Sequence, residues 1–332
     1  MQRPHTLLPK DISISHVDAT IRTRLASLTL ELYMTSPHVT HFFDAATDTL
    51  TYVVTDTTTS ECAIIDPVLN LDYASGAIGT DSADQVITYI KEHDLNLALI
   101  LETHIHADHL SSAPYLQQQL GGRIVIGSHI TTVQDTFGTI FDEDEGFRRD
   151  GSQFDVMLSD GDTFQVGALH GNALHVPGHT PACMAYQLGD ALFAGDTLFM
   201  PDAGTARCDF PGGDARTLYA SCQRLLALPD DIRVFVCHDY QPNGRALAFE
   251  STVAHQREDN IHVGSAISVD EFVSLREARD ATLAMPSLIL PSLQVNMRAG
   301  YLPPPNGQGR MFLKVPINAF GGVRLDRLPA NK

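Results

Sequence analysis

The sequence predicts an α/β protein in which two β-sheets are sandwiched between layers of helix. Two observations carry this prediction. Strands come early and late along the 332 residues, with helices between and after them, an order that suits two packed sheets better than one open parallel sheet. In addition, four apolar, strand-like runs are each followed within a few residues by a histidine or an aspartate, and strand ends held by a packed sheet are good places to fix such side chains rigidly. With 43% hydrophobic residues the chain can bury one large core or two small ones.

Residues 1–33 are polar and mixed, with Pro4 and Pro9. They are expected to form an N-terminal extension. Either it is disordered and Met34 is the functional start, or it docks as an arm. The catalytic domain is expected over residues 34–285. Leu50–Thr55 and Cys62–Pro67 read as strands flanking the polar turn Thr57–Glu61. In Ala83–Asp94 the apolar residues Val86, Ile87 and Ile90 fall on one helical stripe. Leu97–Leu101 is a fully apolar strand, Ser112–Leu120 a helix stopped by Gly121-Gly122, and Arg123–Ile126 the next strand. Residues 131–160, acidic through Asp142-Glu143-Asp144-Glu145, read as an irregular surface insertion. Short strands follow near 163–166, 172–176, 183–188 and 191–194. Then come a helix over Asp214–Leu228, a strand over Arg233–Val236, and helices over 245–258 and 269–282. From Pro286 the chain turns rich in proline and glycine, through Pro303-Pro304-Pro305, so residues 286–332 are expected as a C-terminal extension packed on the domain as a lid or wrap.

The formal net charge of −18 repels nucleic acid phosphates and anionic membranes, so neither is expected as a partner. No apolar stretch approaches the roughly 20 residues that span a bilayer, and the N-terminus lacks the charged start and apolar block of a secretory signal. Five scattered cysteines without a CxxC pair fit a reducing cytoplasm better than a disulfide scaffold.

Residues 103–110 read Thr-His-Ile-His-Ala-Asp-His-Leu, delivered by the strand that ends at Leu101. His104, His106, Asp108 and His109 are metal-capable, and burying polar side chains without partners costs about 1–3 kcal/mol each. A metal ion is the economical reason to gather them. Three further strand ends add Val176-Pro177-Gly178-His179-Thr180, Phe193-Ala194-Gly195-Asp196-Thr197 and Val234-Phe235-Val236-Cys237-His238-Asp239. Glycine before His179 and before Asp196 permits tight turns there.

HxHxDH, then GHT, then GD, then a final histidine, in this order, resembles the metallo-β-lactamase superfamily over roughly residues 38–262. The resemblance implies an αββα sandwich with the site at one edge between the sheets. In two-metal members His104, His106 and His179 would hold one ion and Asp108, His109 and His238 the other, with Asp196 bridging. Asp66, in Ile-Ile-Asp-Pro, matches an aspartate beside the site that orients ligands; a turn-capping carboxylate is the alternative.

Gly-His-Thr-Pro-Ala-Cys, Ala-Gly-Asp-Thr-Leu-Phe, Ala-Arg-Cys-Asp-Phe, Cys-His-Asp-Tyr and the C-terminal words around 290–296 and 312–318 look like the persulfide dioxygenases, in their longer bacterial form. That likeness implies an enzyme with one Fe(II) per chain, held by His104, His179 and Asp196, with three positions left open for substrate and dioxygen. His106, Asp108, His109 and His238 would then surround the iron without binding it. It further implies glutathione persulfide and O2 as substrates, sulfite and glutathione as products, and a homodimer. Arg207 matches an arginine beside the substrate channel, or it pairs with Asp209 or Asp214. Tyr240 matches a catalytic, substrate-facing tyrosine, or it is ordinary packing. Arg257 and His262 fall where the family places basic residues for glutathione. Cys208 replaces the family's usual threonine, either close to substrate or as an inert small residue. Two rival readings share the fold: a glyoxalase II-type hydrolase of glutathione thioesters, which needs two metals, and a non-catalytic, metal-stabilised sulfur-binding protein.

Overall fold

Alternation along the strands decides the layers of this protein. The structure, a computed structural model, describes residues 36–321; the extension expected over residues 1–33 lies outside them. β1 (His38–Asp44) folds back on β2 (Thr49–Thr55), and β2 pairs with β3 (Glu61–Ile65), all antiparallel. In β2, Leu50, Tyr52 and Val54 face a core shared with a second sheet, while Val53 faces helices on the other side. β3 repeats the division, with Ala63 and Ile65 turned inward and Cys62 and Ile64 outward.

The first sheet continues in parallel through β6 (Asn96–Leu101), β8 (Arg123–Gly127) and β9 (Val156–Leu158). Between these strands, β4 (Val68–Asp72), β5 (Ala77–Gly79) and β7 (Leu110–Ser111) pair into a small separate sheet. The second six-stranded sheet runs in chain order: β10 (Thr163–Val166), β11 (Leu169–His175), β12 (Met184–Leu188), β13 (Ala191–Phe193), β14 (Arg233–Phe235) and β15 (Glu250–Thr252). Its pairs are antiparallel except β13–β14. Met184, Tyr186 and Leu188 face the first sheet, and Ala185 faces the outer helices.

Helices α1 (Asp81–Glu92), α2 (Ala113–Leu120) and α3 (Ile130–Ile140) bury their apolar stripes on the outer face of the first sheet. The second sheet is covered by α4 (Ala215–Leu226), α5 (Val253–Asp259) and α6 (Val269–Asp280). The result is the αββα sandwich that the element order predicts.

Two expectations are corrected, and a third is filled in. Residues 131–160 are not a surface insertion: Ile130, Val133 and Phe137 place a helical stripe in the core, Phe141, Phe147 and Phe154 follow them, and β9 closes the segment. Within the acidic run Asp142, Asp144 and Glu145 are exposed as expected, while Glu143 pairs with Arg298 at 2.5 Å. Residues 245–258 are not one helix. Glu250–Thr252 completes the sheet, and α5 starts only where the Thr252 side chain accepts from the His255 amide. The proline-rich stretch from Pro286 contains a further helix, α7 (Ile289–Asn296), whose Ile289 and Leu293 join the core under the first sheet.

Phe141 is 1% exposed. Phe141→Ala is expected to destabilise the protein by about 3–5 kcal/mol, read from the denaturant midpoint. A loss below about 0.5 kcal/mol, the range of an exposed position, would return this segment to the surface.

Candidate metal centre

Beyond Leu101 the chain leaves β6 through Glu102 and Thr103, and the turn is fixed by Asp66. That residue follows β3 with φ of 49°, and its buried carboxylate accepts from the Thr103 amide at 2.7 Å and the Thr103 hydroxyl at 2.8 Å. The His106 Nε2 lies 3.0 Å from the same carboxylate and 3.6 Å from Glu102 Oε2. Burial pushes the Asp66 carboxyl up, but the His106 ring and the Thr103 bonds outweigh it and hold the group ionised. From the other side Asn296, the last residue of α7, donates to the carbonyls of His106 (2.9 Å) and His109 (2.8 Å) and accepts from the Ser111 amide at 2.8 Å. The motif is thus clamped between β3 and a helix nearly two hundred residues away in sequence.

The second sheet brings the remaining groups. Gly178 has φ of +138°, and a Cβ there would lie 2.3 Å from Leu218 Cα, so only glycine lets this strand end pass α4. Gly195, at φ +52°, would place a Cβ 2.8 Å from the Thr103 hydroxyl. The two sheets meet at this edge through backbone bonds from Leu50 N to Cys237 O (2.8 Å) and from Asp239 N to Asp48 O (3.2 Å). Tyr52 adds a phenol bond to Val236 O at 2.6 Å.

The ring nitrogens are sorted by this frame. His179 Nδ1 donates to Arg207 O at 2.6 Å, and His104 Nδ1 sits 3.0 Å from the Thr103 hydroxyl. Their Nε2 atoms point inward, 3.5 and 3.8 Å from Asp196 Oδ2. On the other side, His238 Nε2 lies 3.4 Å from Asp196 Oδ1 and 3.3 Å from Asp108 Oδ2. His104, His179 and Asp196 close on one point, with donor atoms within 4.8 Å of one another. His106 closes with Asp108 and His109 in one group, and with Cys237 and His238 in another. Burial above all, with the crowding of neighbouring imidazoles, holds His104 well below its ordinary pKa and His109 at about 4, so these rings are neutral and offer lone pairs. The Cys237 thiol is pushed far up by burial and the carboxylates around it, and remains protonated.

Buried atoms without a hydrogen-bond partner include His104 Nε2, His106 Nδ1, His109 Nε2, His238 Nε2 and Asp196 Oδ1. Each unmet buried group costs about 1–3 kcal/mol, and five gathered at one place fit a bound cation. Imidazole and carboxylate donors suit a transition metal such as iron or zinc.

A cavity of about 620 Å³ opens onto this cluster and is lined by His179, Asp196, Asp108 and His238. Tyr240 stands on its wall, about half exposed, with its ring stacked on His238 at 5.8 Å. Arg207 also lines it, but its guanidinium holds Asp209 through two bonds of 2.6 and 2.7 Å. Arg257 does not belong to the cavity. Its guanidinium donates to the Leu226 and Leu228 carbonyls at the end of α4 and pairs with Asp230, so it caps a helix. His262 is buried away from the cavity and accepts from the Thr205 amide at 3.0 Å; burial holds its pKa at about 4, so it carries no charge for a ligand. Cys208 is buried against Asp280, and burial pushes its thiol up to about 12.

Two arginines of α6 escape a reading of the sequence because nothing local marks them. Arg276 is buried, ion-paired with Asp280 at 2.5 Å and bonded to Thr205 O at 3.1 Å. Asp280 in turn accepts from the Cys208 amide at 2.9 Å. Together they fix the segment whose Arg207 carbonyl orients His179. Arg279 lines the mouth of the cavity, is exposed, and has no ion-pair partner among the described residues.

Comparison with known proteins gives the family. Residues 45–238 match the family model described as metallo-beta-lactamase superfamily. A probable metallo-hydrolase from Burkholderia pseudomallei (strain 1710b) is 53% identical, over 84% of this chain and 98% of its own. Glyoxylase B2 from Dictyostelium discoideum is 48% identical, over 80% of this chain and 92% of its own. The human mitochondrial persulfide dioxygenase ETHE1 is 30% identical, over 79% and 88%. Among solved structures, ETHE1 from Myxococcus xanthus superimposes with a TM-score of 0.64 at 29% identity, covering 80% of this chain and all of that one. The strand-end ligands, the sandwich that carries them and these relatives together make the chain a member of the metallo-β-lactamase superfamily.

Proposed function

We propose that this enzyme is a persulfide dioxygenase that uses one Fe(II) per chain, held by His104, His179 and Asp196, to oxidise glutathione persulfide to sulfite and glutathione. The observation that carries the reading is the closure of two imidazoles and one carboxylate on a single point, with the other metal-capable residues divided among different groups. Two histidines and one carboxylate leave open positions for substrate and dioxygen. The activity for which the human relative is named supports the same reading. When bound, iron supplies the one-electron redox chemistry by which dioxygen reacts with sulfur.

The chain's own residues do the rest. His179 and His104 are held in one tautomer by Arg207 O and Thr103 Oγ1. His106, Asp108, His109 and His238 shape the surrounding field without binding iron, and Asp66 orients His106. Tyr240 stands where a hydroxyl can reach a ligand in the cavity. The reaction balances as one persulfide, one O2 and one water giving one thiol and one sulfurous acid. The terminal sulfur gains three oxygens, the S–S bond breaks, and the proton ends on the glutathione thiol. The peptide part of the substrate is anionic, and Arg279 at the cavity mouth, without an ion-pair partner among the described residues, suits one of its carboxylates better than Arg207, whose fork already holds Asp209.

A second reading rests on a specific observation. Asp196 presents its other oxygen to His238, so a second ion beside the first is chemically reasonable, and a relative 48% identical bears the name Glyoxylase B2. That reading is a glutathione thioester hydrolase with two metals.

The deciding experiment adds glutathione persulfide to anaerobically purified, iron-loaded protein and follows oxygen and metal content. Oxygen uptake with sulfite formation at about one iron per chain is expected. No uptake, with two metals per chain and thioester cleavage, would establish the hydrolase instead. Metal analysis of variants checks the ligand set: His179→Ala and Asp196→Ala should lose iron, whereas His238→Ala should keep about one per chain. A full complement of iron in either of the first two would overturn the assignment. Arg279→Ala should raise KM for glutathione persulfide by about tenfold, the size of one lost bond between charged groups, with little change in kcat. An unchanged KM would place the substrate carboxylates elsewhere.

A further inference from the structure

Behind the ligand motif lies a second cavity, of about 20 Å³, which is room for one molecule of water's size. Ile105 and Ala107 form its wall on the motif side, Val133 and Phe137 of α3 another, and Ile289 and Leu293 of α7 a third. Two hydroxyls reach it, and both are engaged. Thr136 donates to Thr132 O at 2.9 Å. Thr180 lies 3.0 Å from Cys183 Sγ and accepts from the Ala182 amide at 3.3 Å. A buried water needs two to four polar partners, and apolar cavities that lack them stay dry and take up apolar gases such as xenon.

The position of this cavity gives it a use. Ala107 and Phe210 line both it and the large cavity over the metal ligands. The Phe210 ring packs edge-on against the ring of His179 at 5.4 Å. A molecule in the small cavity is therefore separated from the ligand cluster by one methyl group and one aromatic ring. Dioxygen is small, apolar and more soluble in hydrocarbon than in water, so it matches this lining where water and the anionic persulfide do not.

We infer that the cavity is a holding site for dioxygen, from which the gas passes Ala107 and Phe210 to the metal ligands while the persulfide enters through the large cavity. The supply role rests on the dioxygenase reading given above; the gas site itself rests on the lining alone. Its geometry gives the two substrates separate approaches, so that a persulfide already seated in the large cavity does not bar the oxygen.

The test is xenon pressurisation of crystals of the wild-type holoenzyme, with oxygen-dependent kinetics of Val133→Phe, which fills the cavity, and iron content measured on the same samples. Xenon is expected between Ala107 and Leu293 in the wild type and absent from the variant. KM for oxygen should rise at least about threefold in the variant, the change expected if local supply is lost, while KM for persulfide and iron content hold. Where Val133→Phe does not fold, Val133→Ile, with one added methyl, makes the same comparison. An empty cavity in pressurised wild-type crystals overturns the proposal, as does a xenon-excluding variant with an unchanged KM for oxygen. The two failures separate cleanly. Oxygen uptake without xenon binding refutes the cavity alone, whereas xenon binding without oxygen uptake refutes the enzymatic reading and the supply role with it.

Discussion

Five donor atoms without hydrogen-bond partners, four from imidazoles and one from Asp196, are buried together at one edge of the sandwich. Left so, their combined desolvation would consume a large part of the 5–15 kcal/mol by which a typical protein is stable. Much of the surrounding architecture reads as the means of holding these atoms in place. Each ring has its outer nitrogen engaged, by Arg207 O, Thr103 Oγ1, Asp66, Leu110 O or Asp48 O, so that the inner nitrogen has one direction to face. An ion held by His104, His179 and Asp196 would relieve part of this cost and leave the inner nitrogens of His106, His109 and His238 to water or to a second ion.

The supporting residues come from far apart in sequence, and this is why the centre is rigid. Asp66 follows one strand of the first sheet, Asn296 ends a helix packed under that same sheet, and Arg276 with Asp280 braces the loop that receives His179. A displacement of any one would be transmitted to a ligand through one or two hydrogen bonds. The large cavity then needs little further organisation: it is lined by His179, Asp196 and His238, by Tyr240 and Arg207, and by Arg279, which has no ion-pair partner among the described residues.

Much of this was legible in the sequence for physical reasons. Apolar runs such as Leu97–Leu101 have few ways to be buried except as central strands, and a histidine or aspartate at the end of each stands out. Glycine before His179 and before Asp196 marked turns that admit no Cβ. What escaped depends on tertiary contact. The acidic run 142–145 drew attention from the spacing of Ile130, Val133 and Phe137, which is an ordinary helical stripe. Prolines concealed α7, although a helix of eight residues can begin beside them. Arg257 and Arg279 are both arginines on neighbouring helices; one donates to carbonyls at the end of α4 and the other lines the cavity, a difference set by packing alone.

The backbone bonds that join Leu50 to Cys237 and Asp48 to Asp239 have a consequence for the life of the molecule. They stitch the two sheets together at the same edge where the donor atoms lie. A cation there spans both halves of the sandwich, and anything that binds the folded state alone shifts the folding equilibrium by mass action. If the centre holds an ion in the cell, a shortfall of that ion would lower the stability of the chain and leave more of it open to proteolysis.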